Sequence, residues 1–198
     1  MTDHPTTFSD RMRALTGGMM SRVGLALHRL GIHPDVLTIL GLLLVGIAAI
    51  FIGRGDLEIG GLILLLALPF DALDGAVARA MLREGRFGEM LDSSLDRYAD
   101  GFIFAALSYH FAQEDNLNML VLTQVALLGT FMVSYARARA TGVDVEVKIG
   151  LFTRLERTVV ILVMLLVPQL LIPGLWVLAI GTNFTAMQRL LFVYKALK

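Results

Sequence analysis

The chain has 198 residues, of which 56% are hydrophobic and only 17% charged, and its mean hydropathy is +0.71. Those values lie outside the range of soluble domains and place it in the membrane class. A formal net charge of zero offers no basic field for nucleic acid, and the absence of cysteine excludes disulfides, thiolate catalysis and zinc–thiolate sites.

The first 35 residues are polar and carry Arg11, Arg13, Arg22 and Arg29. They lack the short apolar core of a cleavable signal peptide, so the N-terminus is expected to be retained. Within them, residues 8–31 alternate basic side chains with Met, Leu and Val at helical spacing. This predicts an amphipathic helix lying on anionic lipid, with a disordered basic tail as the alternative. Six apolar runs follow, at about 36–53, 59–82, 89–112, 117–140, 153–171 and 173–194. Each is close to the roughly 17–25 residues that cross a bilayer. The expected architecture is one all-α integral membrane domain over 1–198, with six transmembrane helices and the N-terminal interfacial helix. The segments GRGDLE (53–58), AQEDN (112–116) and VPQLLIPG (167–174) read as turns. The RGD in the first is ordinary turn composition, and the sequon at Asn183-Phe184-Thr185 lies inside the sixth apolar run, where it reads as chance.

Of the 17 Lys and Arg residues, only Arg54 falls in the turns joining spans one to two, three to four and five to six. The others gather at the N-terminus, the two remaining connections and the C-terminus. The positive-inside rule therefore predicts a multi-pass protein of the cell membrane with both termini cytoplasmic. It puts Asp71, Asp74, Asp92 and Asp96 at the cytoplasmic mouth of the bundle.

Asp71 and Asp74 are three residues apart, and Asp92 and Asp96 four apart, so each pair shares one helical face. The connection REGRFG (83–88) lets spans two and three run antiparallel. Four carboxylates brought together repel one another and are costly at membrane depth. Divalent cations resolve that cost, and an all-oxygen set suits Mg²⁺ or Mn²⁺; His4, His28, His33 and His110 show no ligand spacing. Gly75 leaves room for a ligand against the helix backbone, and Arg79, one turn on, has the reach to hold a phosphate. The competing explanation is simple pairing of the acids with Arg79, Arg86 and Arg97.

The pattern Asp71-x2-Asp74-Gly75-x2-Ala78-Arg79-x8-Gly88-x3-Asp92-x3-Asp96 resembles the complete signature of the CDP-alcohol phosphatidyltransferases, with no departure at any position. The resemblance implies a homodimer of six-helix protomers. It also implies transfer of a phosphatidyl or related group from a CDP-linked lipid of the CDP-diacylglycerol type to an alcohol, with release of CMP. By the same resemblance, Asp71, Asp74 and Asp92 would ligate two metal ions. Asp96 would touch the second ion and act as general base. Gly75, Ala78, Arg79 and Gly85 would line the CDP pocket, together with Pro34, Asp35, Val36 and Leu37 from the HPDVLT stretch. Asp35 fits a helix N-cap equally well.

LDSSLDRYADG (91–101) and SYARARA (134–140) resemble the branch that makes phosphatidylinositol phosphate, or its archaeal ether-lipid counterpart, from inositol phosphate. That acceptor needs cations for its own phosphate. Ser134 and Arg137 share a face at the end of span four, Arg154 and Arg157 share one at the start of span five, and Arg189 lies near the cytoplasmic end of span six. Glycerol 3-phosphate would want the same pocket, which keeps phosphatidylglycerol phosphate synthesis open. The arginines would also serve simply as topology-setting and headgroup charges. Two other classes place aspartates in membranes. An intramembrane prenyltransferase separates its Asp-rich motifs much further, and a cation transporter carries its acids towards the midplane.

Overall fold

The computed structural model describes residues 33–80 and 86–198 together with positions 23, 25, 26 and 29–31, excluding the side chains of residues 71, 72, 74, 78–80 and 86. The expected interfacial helix at 8–31 and Gly85 therefore lie largely or wholly outside the described residues. The described residues are mostly helical, with no strand among them. The elements are α1 (Pro34–Gly53), α2 (Leu57–Ala80), α3 (Arg86–Gln113), α4 (Leu117–Thr141), α5 (Arg154–Leu166), a 3₁₀ turn (Pro168–Leu170) and α6 (Leu171–Ala196).

Four of these segments are long and apolar enough to cross a membrane: Pro34–Gly53, Leu57–Val77, Leu117–Thr141 and Pro168–Ala196. Their outward residues, among them Leu43, Ile50, Leu62, Leu66, Leu128 and Ile180, are large, apolar and exposed, as helices facing lipid require. The charged start of α3 keeps it from meeting the same test. The fifth expected span, 153–171, is shorter than the sequence suggests, because α5 has only 13 residues. Pro168 is the cause: it disfavours helical geometry at the preceding residue, and Val167 leaves the helix at φ −125°, ψ 87°. The chain re-enters helix almost at once, so most of the expected 167–174 turn is helical. Pro173 falls in the first turn of α6, where a missing N–H costs nothing.

Local signals set the other boundaries. Pro34 opens α1 with its φ already helical. At its far end the RGD stretch is a tight turn, with Gly55 at φ 91° and the Asp56 N–H bonded to Phe51 O at 3.0 Å. Gln113 then donates to Gly53 O at 2.7 Å, satisfying a carbonyl at the α1 terminus. Asn116 caps α4 by accepting from the Met119 N–H at 3.3 Å. Glu156 reaches back to the Thr153 N–H at 2.9 Å and also accepts from its hydroxyl, opening α5.

The chain divides into two compact units. One comprises residues up to Leu44 and Leu66–Asp96; the other comprises Val45–Leu65 and Arg97–Lys198. In α2 the division falls at Leu65–Leu66, and Leu65 is the residue whose carbonyl Pro69, four positions on, has no N–H to meet. The larger unit holds a core of Ile52, Phe104, Leu107, Phe111, Met164, Leu165, Leu175 and Leu178. Its helices approach closely through small residues. A Cβ on Gly129 of α4 would sit 2.2 Å from Thr182 Oγ1 of α6, and one on Gly174 would sit 2.7 Å from Met164 Cβ.

Candidate active site

In the smaller unit, α1 begins beside the first turn of α3. A Cβ on Gly88 would meet Asp35 Oδ1 at 3.9 Å, so this signature glycine lies against the HPDVLT stretch. Asp35 is in the first turn of α1, one residue beyond Pro34, and does not cap it. His33 takes that part instead: its Nδ1 accepts from the Asp35 N–H at 3.4 Å, and its carbonyl accepts from the Val36 N–H at 3.1 Å. The same ring nitrogen is 3.3 Å from Asp35 Oδ2, an ion pair once the imidazole is protonated. Pro34 and Leu37 are buried and Val36 is exposed.

The acidic residues lie on regular helix. Asp71 and Asp74 are in α2, and Asp92 and Asp96 in α3, so the i,i+3 and i,i+4 spacings hold for the backbone as built. Asp92 and Asp96 are half-buried, and Asp92 Oδ1 is shielded from solvent. Among the described residues no group of three or more His, Cys, Asp or Glu forms a metal cluster; the Asp71 and Asp74 side chains lie outside that set. Ser93 and Ser94, between the last two acids, both donate to Met90 O, at 3.0 and 2.8 Å. Gly75 is half-buried, and Ala76 and Val77 beside it are buried.

The five residues expected to hold an acceptor phosphate are all in the larger unit. Arg137 and Arg154 are exposed, Ser134 is half-buried, and Arg157 and Arg189 are buried. The two buried guanidinium groups are engaged differently. Arg157 Nη2 donates to Asp100 Oδ2 at 3.4 Å. Arg189 donates from Nε to Ile149 O at 3.0 Å and from Nη1 to Val133 O at 2.7 Å, tying the α4–α5 loop and the end of α4 to α6. Gly150 makes this possible. Its φ is +146°, and a Cβ there would lie 2.8 Å from Thr185 Cγ2 and 3.2 Å from Arg189 Nη2. Thr185 completes the brace by accepting from the Phe152 N–H at 3.0 Å.

Two side chains gain roles that the sequence reading did not give them. Asp100 stands four residues after Asp96, an interval that puts it on the same helical face, but its partner Arg157 is distant in sequence. Asn183, read as part of a chance sequon, donates to Val125 O on α4 at 3.0 Å and to Ala179 O at 2.8 Å. It joins two helices.

The comparisons with known proteins agree with the motif. The family model for CDP-alcohol phosphatidyltransferase matches residues 31–188. The archaetidylinositol phosphate synthase of Methanothermobacter thermautotrophicus is 35% identical over 175 residues, covering 86% of this chain and 87% of the relative. The phosphatidylinositol phosphate synthase of Streptomyces avermitilis is 35% identical over 181 residues, covering 84% and 74%. Among solved structures, the phosphatidylinositol phosphate synthase of Mycobacterium tuberculosis with CDP-DAG bound superposes with a TM-score of 0.83 at 31% identity, over 88% of this chain and 93% of that one. The same enzyme in complex with manganese and citrate gives a TM-score of 0.83 over 88% of each chain. With the full signature on two helices, a membrane-spanning helical fold and these relatives, the chain belongs to the CDP-alcohol phosphatidyltransferase family and is a transferase of that type.

Proposed function

We propose that the protein transfers the phosphatidyl group of a CDP-diacylglycerol-type lipid to a hydroxyl of inositol phosphate, releasing CMP. The observation that carries this reading is the unbroken aspartate signature in a chain whose named relatives make phosphatidylinositol phosphate or its archaetidyl counterpart.

The donor set fits a divalent cation. Asp71, Asp74, Asp92 and Asp96 offer only carboxylate oxygens, spaced so that each helix presents a pair, and the solved relative with manganese has the same fold. Two Mg²⁺ or Mn²⁺ ions bound there would neutralise the donor diphosphate and stabilise the oxygens of the displacement. The chain's own groups do the rest in this reading. Asp96 takes the proton of the attacking hydroxyl. Gly75 and Ala78 leave space for the nucleotide against α2, Arg79 and Gly85 flank its phosphates, and Pro34 to Leu37 contact the head group. Arg137 and Arg154, exposed and cationic, take the acceptor's phosphate with Ser134 and Arg157. Arg189 supports them by bracing the loop that precedes Arg154.

The same reading makes α3 a membrane span as well. At about 1.5 Å per residue, the 28 residues of α3 extend roughly 42 Å, enough for a hydrocarbon core of about 30 Å. The arginine distribution puts the aspartates and both termini on the cytoplasmic side of the cell membrane, and the working form is a homodimer.

The test is an acceptor panel with CDP-diacylglycerol and Mg²⁺: inositol phosphate, inositol, glycerol 3-phosphate and serine. CMP release with inositol phosphate alone is expected. Preference for glycerol 3-phosphate, which carries the same phosphomonoester, would move the assignment to phosphatidylglycerol phosphate synthesis. Metal-independent turnover would overturn the chemistry itself.

A further inference from the structure

The segment that leads into α5 is held from a single stripe of α6. Gly181, Thr185 and Arg189 stand four residues apart, on one helical face. They meet successive residues of the segment in reverse order. Arg189 Nε donates to Ile149 O at 3.0 Å, and Thr185 Oγ1 accepts from the Phe152 N–H at 3.0 Å. The Phe152 ring lies over Gly181, where a Cβ would be 2.5 Å from Cε2, and Gly150 has no room for a Cβ beside Thr185 Cγ2. Residues 145–153 form no helix or strand of their own, and Thr153 directly precedes Arg154, the first residue of α5. The far half of α5 is fixed in the core by Met164 and Leu165, both fully buried. Its start carries the exposed Arg154 and is held by the Arg157–Asp100 pair and by this segment. Thr185 is itself fully buried, so its hydroxyl is shielded from solvent and the bond to Phe152 forms at low dielectric.

We infer that Gly181 and Thr185 are positioning residues for the acceptor: by fixing Phe152, two residues before Arg154, they set where α5 begins and so where Arg154 and Arg157 stand for the acceptor's phosphate. The inference rests on the proposed phosphorylated acceptor and adds two residues of α6 to it. Neither touches substrate. The signature aspartates belong to the other unit, so a fault in this segment should fall on the acceptor and spare the donor.

The experiment compares wild type, Thr185→Val, Thr185→Ser and Gly181→Ala in full-length purified enzyme, measuring KM for inositol phosphate, KM for CDP-diacylglycerol and melting temperature. Thr185→Val keeps the shape and removes the oxygen; it should raise acceptor KM about fivefold or more, with donor KM within about twofold. Thr185→Ser keeps the hydroxyl and loses a methyl, so it should melt lower yet hold acceptor KM within about twofold of wild type. A purely structural role would lower melting temperature and the active fraction while leaving both KM values unchanged, and that result overturns the inference. So does a serine variant whose acceptor KM rises as far as the valine variant's, or an equal rise in both KM values. If Thr185→Val fails to fold, Gly181→Ala decides, since alanine favours the helix while its methyl displaces the Phe152 ring. It should raise acceptor KM about threefold or more without raising donor KM, and no change overturns the inference. Should the wild type accept only unphosphorylated alcohols, the acceptor reading falls and this inference with it; should it use inositol phosphate while Thr185→Val and Gly181→Ala behave like wild type, only this inference falls.

Discussion

The two units solve opposite electrostatic problems. The smaller one carries its acids on α2 and α3, and its helices approach at Gly88 beside Asp35 and at Gly41, where a Cβ would meet Phe70 Cβ at 3.3 Å. The larger one concentrates arginines and holds the buried ones by defined partners, a carboxylate for Arg157 and two backbone carbonyls for Arg189. In the proposed chemistry the signature carboxylates would gain counter-charge from bound metal ions. Buried guanidinium groups have no such visitor for most of the cycle and must be satisfied internally. Chemistry is thus written in the spacing of one unit and in the tertiary contacts of the other.

The sharpest break between them should come from the acids. Asp92→Asn, or chelation of the wild type, removes several kcal/mol of charge stabilisation, on the order of 10³-fold in kcat, with the helical circular dichroism unchanged. Retention of turnover in chelator would end the metal reading. Asp96→Asn should lower kcat by roughly 10²-fold, the ordinary loss for a positioned general base, while donor binding by calorimetry survives. An equal collapse of donor affinity would make Asp96 chiefly a ligand.

Effects in the larger unit should be smaller and should divide by burial. Arg137→Ala, at an exposed position, is expected to raise acceptor KM about tenfold without changing thermal stability, since a charge-assisted contact contributes about 1.5–3 kcal/mol. Arg157→Ala should add a lower melting temperature to the same KM rise, because it leaves Asp100 short of its hydrogen-bonded partner. Gly150→Ala should cost about 1–3 kcal/mol of stability by forcing a side chain into strained backbone against Thr185 and Arg189. Arg54→Ala, in the opposite turn, should leave both KM values within twofold, and a larger change there would undermine the orientation.

The motif and most of the helices were legible because their signals are local. Apolar runs long enough to cross lipid marked α1, α2, α4 and α6, and the aspartate spacing survived intact on regular helix. The length of α5 was misjudged because the run of apolar residues continues past Pro168, while backbone geometry does not. Arg189 was a reasonable phosphate ligand by position, but nothing near it in the chain announces that Val133 and Ile149 will claim its N–H groups. Asp100 and Asn183 were missed for the same reason: their partners are distant in sequence and arrive only with the fold.

The brace at Arg189 has a consequence for how the protein is made. Val133, Ile149 and Gly129 emerge from the ribosome well before Arg189, Thr182 and Asn183, which lie in α6. Until α6 enters the membrane, α4 has no partner for its small-residue face, and the loop before α5 has no anchor. Contacts between segments so far apart in the chain form late. The arginine frame is therefore completed only once α6 has been made, and a chain stopped before α6 would be a natural target for membrane quality control.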